Sequence, residues 1–274
     1  MSKLYLVATP IGNLEDISFR AVRILQEVSL IAAEDTRTTK TLLAKYNIET
    51  PLISYHDHNK ERKISRLLEH LEISDLALVS DAGTPAINDP GFYLVKKVIE
   101  TGHQVIPVPG ASAPITALSA SGLATDSFLY LGYLPRKKKA RMDLLEEVRG
   151  IPWTLVCLET PHRLVDSLDD ILSVLGNREI VVARELTKIH EEFYRGEVSA
   201  VYEYYKSNPP KGEITLVLAG RNPKEKWTEQ KLLNQIQEEE KTRGISPTKM
   251  AKSLAEKSGW SRRDIYDLMQ GLRE

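Results

Sequence analysis

The sequence predicts an α/β fold: two sheet-bearing α/β domains, the first mostly parallel and the second mixed, followed by a small C-terminal helical unit. Three observations lead there. Short, nearly continuously apolar runs recur along the chain, amphipathic stretches alternate with them, and the pattern changes after Gly220, beyond which no strand is read. In residues 1–121 the runs at 4–8, 30–33, 52–55, 76–80 and 104–108 read as strands covered on both faces. Residues 18–28, 38–46 and 59–71 read as helices between them. Another helix is expected to start at Asp89-Pro90, with Asp89 as N-cap, Pro90 at its first position, a stripe of Leu94, Val95, Val98 and Ile99, and Gly102 as its stop. Strand–helix alternation of this kind implies a mostly parallel sheet. Residues 112–121 form a short helix leading out of the domain.

The pattern restarts in residues 122–222. Strands are expected at 128–132, 153–158, 180–184, 193–196 and 213–219, with a hairpin among the last three. A helix over 161–175 carries Leu164, Val165, Leu168, Ile171, Leu172 and Leu175 at helical spacing, opened by Thr160 and closed by Gly176. In residues 223–274 three helices are expected, at 228–241, 247–257 and 262–272. Ser246-Pro247 and the spacing Ser261…Asp264 open the last two, and Gly259 turns between them, which gives a helix-turn-helix outline.

Composition narrows the function classes. The formal net charge is −1, so any nucleic-acid surface must be a local patch rather than a property of the whole molecule. Over 222–274, eleven Lys and Arg face nine Asp and Glu, a weak excess of +2. The single cysteine, Cys157, excludes an internal disulfide and reads as a buried strand thiol. The first apolar stretch ends at Pro10 with Glu15 and Asp16 close behind, which is no secretory pattern, and no apolar run approaches the ~20 residues of a membrane helix. The chain reads as soluble and cytoplasmic.

The motifs exclude several chemistries. There is no GxxxxGK[ST] loop, no GxGxxG after the first strand, and no GxSxG elbow. His56-Asp57-His58 lacks a further Cys or His to complete a metal set, so no metal is expected. What does follow a strand is Ser80-Asp81-Ala82-Gly83-Thr84-Pro85, which reads either as an ordinary tight turn or as a stiff, small-residue loop where parallel sheets bind ligands. A second such loop, Pro107-Val108-Pro109-Gly110-Ala111-Ser112, follows the next strand. Polar clusters stand at three more strand ends: Ala33-Glu34-Asp35-Thr36-Arg37, Glu159-Thr160-Pro161-His162-Arg163 and Ala183-Arg184-Glu185-Leu186-Thr187-Lys188. Each reads either as a solvated salt-bridge cluster or as a substrate contact. His70 and His103 read as surface or loop residues. Arg136, Lys137, Lys138 and Lys139 open the densest run of cations, which reads as contacts to a phosphate backbone or as a plain solvated helix start.

Taken in order, Thr9-Pro-Ile-Gly-Asn13, Ala33-Glu-Asp-Thr-Arg37, Ser54-Tyr-His-Asp-His-Asn59, Ser80-Asp-Ala-Gly-Thr-Pro85, Leu134-Pro-Arg-Lys-Lys-Lys139, Pro161-His-Arg163 and Ala183-Arg-Glu-Leu-Thr-Lys188 resemble the family of small-subunit ribosomal RNA ribose methyltransferases, within the tetrapyrrole-methylase-like superfamily. The resemblance covers about residues 3–220, and the tail is similar to that family's helical extension. Asp57 stands where the family pattern has Glu, and Thr160 where Ser or Ala is usual.

The resemblance implies S-adenosylmethionine as cofactor, held in a cleft between the two α/β domains. It also implies 2′-O-methylation of a decoding-region cytidine in 16S rRNA, the small ribosomal subunit as partner, and a homodimer. Its cofactor contacts fall on Thr9, Pro10, Ile11 and Gly12; on Ser80, Asp81, Ala82, Gly83, Thr84 and Pro85; on Gly110, Ala111, Ser112 and Ala113; and on Leu158 and Glu159. A ribose hydroxyl must lose its proton to become a good nucleophile, so a base is needed. Asp35, Glu185 and Lys188 are the candidates, with Lys188 expected as base, oriented by Glu185. Arg37 and Arg163 are expected to join Arg136–Lys139 in holding RNA phosphates. A small tetrapyrrole as substrate and a non-catalytic RNA-binding module are the alternatives. The cation run and the tail speak against the first, and the paired strand-end loops against the second.

Overall fold

The computed structural model describes residues 2–56, 60–221, 227–241 and 246–271. Asp57 and His58 of the expected His-Asp-His motif, Asn59, and residues 222–226 at the expected start of the tail lie outside the described residues. The chain divides into two compact units, Met1–Ala219 and Gly220–Glu274.

In the larger unit β1 (Lys3–Val7), β2 (Leu30–Ala33), β3 (Leu52–Ser54), β4 (Leu76–Val79) and β5 (Gln104–Val108) form a wholly parallel sheet in the order β3-β2-β4-β1-β5. Continuous apolarity in these strands has a direct cause. Alternate residues enter different cores: Ile31, Ala33, Ala77 and Val79 pack with Ala21, Leu25 and Leu43 of α1 (Phe19–Glu27) and α2 (Thr36–Lys45). Ala32, Leu76 and Leu78 pack with Leu67, Leu71, Leu94 and Val98 of α3 (Lys60–Leu71) and α4 (Phe92–Glu100). Ser18 caps α1 by accepting from the Ala21 N–H at 3.1 Å, and Asp35 caps α2 from Arg37 at 2.8 Å. The expectation for α4 was wrong at its start: the helix begins at Phe92 behind Gly91, not at Asp89-Pro90. Ala86 and Asn88 adopt left-handed φ of 68° and 63°, which turn the chain before the helix and leave Asp89 facing a cavity.

The second sheet is mixed. β6 (Phe128–Tyr133), β7 (Thr154–Glu159), β8 (Glu179–Arg184), β9 (Glu192–Glu197) and β10 (Ile214–Leu218) run in the order β6-β7-β10-β8-β9, with β6 parallel to β7 and the other pairs antiparallel. The expected hairpin is β8–β9. One face carries α6 (Lys138–Val148), α7 (Leu164–Leu175) and α8 (Val198–Ser207) over Leu155, Cys157, Val182 and Leu216. The opposite face carries α5 (Ala113–Ser121), whose Ala117 and Leu118 meet Val156, Val181 and Val217. Ile11, from the loop after β1, joins this same core, so the two halves share apolar packing.

Further details depart from the sequence reading, among them helix α6, for which no helix was expected beyond the alternative reading of the cation run. Helix α8 was not anticipated, although Val198, Val201 and Tyr205 keep helical spacing; the partly buried Tyr202 and Tyr204 between and beside them blur the period. Thr160 precedes a 3-10 turn, Pro161–Arg163, rather than α7 itself, and makes no side-chain cap. His103 sits in a loop, but its side chain is only 7% exposed, with Nε2 3.1 Å from Glu72. His70 lies in the last turn of α3, with Nε2 2.7 Å from the Ser29 hydroxyl. Cys157 is buried, and burial pushes its thiol well above the usual range, so it is an inert core residue.

The smaller unit packs α9 (Glu229–Lys241), α10 (Pro247–Ser258) and α11 (Arg262–Gly271) around Leu232, Ile236, Met250, Leu254, Ile265 and Met269. Ser246 and Ser261 cap α10 and α11 from Lys249 and Asp264, and Gly259 turns between them at φ 70°. Among the described residues no helix is long and apolar enough to cross a membrane.

Candidate active site

The strand order sets the site. β4 and β5 flank β1, so the loops that leave their carboxyl ends are neighbours. They are tied together. Thr9 and Gly83 exchange backbone hydrogen bonds at 2.9 and 3.0 Å, and the Thr9 hydroxyl donates to the Ser80 carbonyl at 3.1 Å. Gly110 passes so close to β1 that a Cβ there would stand 2.9 Å from the Ala8 Cβ. Thr9 and Ser80 are buried, so these residues build the frame rather than meet solvent.

The frame borders a cavity of about 310 Å³ between the two halves of the unit. That is the lower end of the range for small-molecule sites. Of the expected cofactor residues, Ile11, Asp81, Ala82, Gly83, Thr84, Ser112, Ala113, Leu158 and Glu159 line it. Thr9, Pro10, Gly12, Ser80, Pro85, Gly110 and Ala111 do not line it. The second half contributes Tyr130 and Tyr133 from β6, Gly212 and Glu213, and Ile214 and Thr215 at the start of β10. The lining is acidic: Glu34, Asp81, Asp89, Glu159 and Glu213 line the cavity, and among the described residues no Lys, Arg or His does.

These carboxyl groups differ. Glu159 is fully buried and committed. It accepts from Thr160 N–H (2.7 Å), the Ser167 hydroxyl (2.5 Å) and Arg163 Nε (2.8 Å), with a second bond from Arg163 Nη2. Arg163, expected to hold an RNA phosphate, is therefore the counter-ion of Glu159. Asp81 accepts from the Asp35 N–H at 2.9 Å, and burial raises its pKa. Asp89 was read from the sequence as a helix cap, and it is the most perturbed carboxyl of the lining. Burial pushes it up to about 6, against a hydrogen bond from Ser80 that favours ionisation, and the charge of Asp81 adds to the push.

The expected catalytic trio is rearranged. Lys188 Nζ lies 2.9 Å from Glu185 Oε1 and 3.0 Å from Glu213 Oε2. Burial lowers its pKa, but the two carboxylates outweigh that and raise it above the ordinary lysine value. Lys188 is thus a clamped ammonium, not a neutral base. The hydrogen bond from Lys188 holds Glu185 below the usual carboxyl range. Asp35 is held at about 2 by the guanidinium of Arg37, 2.6 Å away, too low for a good base at neutral pH. The clamp has a positional role. Thr187 accepts from the Asn13 N–H at 2.9 Å, and a Cβ on Gly12 would fall 2.6 Å from both Lys188 Cγ and Thr187 Oγ1. Only glycine lets the first loop lie against this turn, in which Glu185 and Thr187 have φ of 51° and 65°.

Among the expected RNA contacts, Arg136, Lys137, Lys138 and Lys139 are exposed at the start of α6, and Arg37 is 89% exposed. Lys138 also lies 3.3 Å from Asp170. Arg141, the last cation of the run, is buried instead. It pairs with Asp170 of α7 at 2.6 Å and donates to the Pro135 carbonyl at 3.3 Å, which fixes the run against the domain.

A parallel sheet and a mixed sheet that share a small-molecule cavity at their strand ends define a cleft enzyme of two α/β halves. The chain belongs to the tetrapyrrole (corrin/porphyrin) methylase family, whose sequence pattern it matches over residues 3–202. It is 49% identical over 270 residues to the ribosomal RNA small subunit methyltransferase I of Halalkalibacterium halodurans, covering 97% of this chain and 93% of the relative. It is 44% identical over 273 residues to the protein of the same name from Bacillus subtilis, covering 97% and 94%. A crystal structure of uroporphyrin-III C-methyl transferase from Thermus thermophilus, complexed with S-adenyl homocysteine, has the same fold. Its TM-score is 0.57 at 21% identity, over 79% of this chain and 97% of that one.

Proposed function

We propose that this protein transfers a methyl group from S-adenosylmethionine to the 2′-oxygen of a decoding-region cytidine in 16S rRNA, working on the small ribosomal subunit in the cytoplasm, as a homodimer. The observation that carries the cofactor reading is the one-sided charge of the cavity. Its lining draws on five acidic residues and, among the described residues, on no basic one; Arg163 and Lys188 pair with Glu159 and Glu213, and Glu34, Asp81 and Asp89 keep the wall acidic. Such a wall favours a cationic sulfonium and repels a phosphate-bearing cofactor. The loops fit the ligand as well, because Gly83, at φ 81° in the cavity lining, leaves backbone groups at the cavity edge. The names of the full-length relatives support RNA of the small subunit as substrate.

S-adenosylmethionine supplies an electrophilic methyl group. The chain's own residues do the rest. The loops after β1, β4 and β5 hold and orient, which is the larger share of catalysis for a displacement that dissipates charge. Asp89 takes the proton of the ribose hydroxyl at its carboxylate oxygen: it lines the cavity and is ionised at neutral pH, yet basic enough to accept a proton. The Glu185–Lys188–Glu213 cluster keeps the Gly12–Asn13 loop in register. Arg37 and Arg136–Lys139 meet the phosphate backbone, which favours RNA over a small tetrapyrrole. Isothermal calorimetry tests the cofactor: saturable heat is expected with S-adenosylmethionine and none with ATP. Binding of ATP alone would contradict the charge argument.

A further inference from the structure

The edge strand of the second sheet has an irregularity that faces the cavity. Along β6, Phe128, Leu129 and Tyr130 stand opposite Thr154, Leu155 and Val156, but Tyr133 stands opposite Leu158. Three steps along β6 match two along β7, so β6 carries one extra residue. On a regular strand, residues three apart point to opposite faces. Here Tyr130 and Tyr133 line the same cavity.

The extra residue is absorbed at Gly132, whose φ is 66°. A Cβ on Gly132 would collide with the side-chain amide of Asn88. Asn88 is itself left-handed and immediately precedes Asp89. The bulge is thus held by a glycine on one side and by the Asp89 loop on the other. Bulges beside active sites serve to re-aim a side chain. Tyr130 is half-buried, whereas Tyr133 is 54% exposed. Burial raises the pKa of both phenols, and the nearby Asp89 charge contributes in each case, so both rings are neutral and near Asp89.

A ribose inside a polynucleotide reaches into a cavity between two domains only if its nucleotide is swung out of the stack. Unstacked RNA bases are commonly received on aromatic faces. We propose that Tyr133 is the platform on which the base of the target nucleotide stacks, a positioning residue that aims the ribose 2′-hydroxyl at Asp89. The proposal rests on the RNA reading above.

The test compares full-length wild type, Tyr133→Phe and Tyr133→Leu. Each is assayed for methyl transfer to unmethylated small subunits, for S-adenosylmethionine affinity by calorimetry, and for mass by sedimentation. Tyr133→Phe should stay within about twofold of wild type. Tyr133→Leu should lose roughly 10- to 100-fold in kcat/KM for the subunit, mainly through KM, with cofactor affinity and mass unchanged. Equal activity of Tyr133→Leu and wild type would overturn the stacking role. So would an equal loss of cofactor affinity, which would make Tyr133 a cofactor contact, or a change in mass, which would make it an interface residue. Wild-type protein with no activity on RNA would instead overturn the functional reading.

Discussion

Replacing Glu159 with alanine should lower the unfolding free energy by about 3–5 kcal/mol, because it leaves a buried guanidinium without its counter-ion. Glu159 closes β7 with its carboxylate completely buried, and Arg163 retains only 18% side-chain exposure. Thr160 N–H and the Ser167 hydroxyl lose their acceptor in the same substitution. The penalty comes from stranding the partners, so Glu159→Leu combined with Arg163→Leu should recover most of it. Urea denaturation of the full chain checks both results. A loss below about 1 kcal/mol for Glu159→Ala would show that the pair is not desolvated as the structure has it.

Asp89→Asn should lower the single-turnover methylation rate by about 10²–10⁴-fold, the usual worth of a general base. The wild-type rate should rise with pH through about 6 and level off above it, as the carboxyl ionises. The variant should lose that inflection while binding S-adenosylmethionine. Stability should move the opposite way. The folded carboxyl titrates above its ordinary value of 3.8, so the native state binds this proton more tightly than the unfolded chain does. Its contribution is therefore favourable at low pH and is lost as pH rises from about 4 to 6. At neutral pH Asp89→Asn should consequently gain stability, on the order of 1 kcal/mol once solvent screening of this half-buried group is discounted. An unchanged rate would pass the base role to another group.

The sheets were legible because their strands obey a local rule. Residues buried on both faces must be apolar in succession, as in Leu76–Val79 and Ile214–Leu218. The loop Ser80–Pro85 was legible because a second stiff, small-residue loop follows the next strand, a pairing that an ordinary turn does not need. The chemistry of the site was harder to read because it depends on distant neighbours. Lys188 read as a candidate base because Glu213 is 25 residues away, and only the pairing of Ile214 with Arg184 brings it alongside. Arg163 read as a phosphate ligand because its spacing from Glu159 does not reveal burial. Asp89-Pro90 carried a sound helix-cap signal, which the left-handed turns at Ala86 and Asn88 overrode. Tyr133 carried little signal, since a regular strand would have turned it away from Tyr130. The one hint was Gly132 between the two tyrosines.

The most direct test incubates the full chain with methyl-labelled S-adenosylmethionine and small ribosomal subunits that lack this modification, then digests the RNA to nucleosides. Label recovered as 2′-O-methylcytidine from 16S rRNA is the expected result. Label on a base, label only on an added tetrapyrrole, or no transfer to RNA would contradict the assignment.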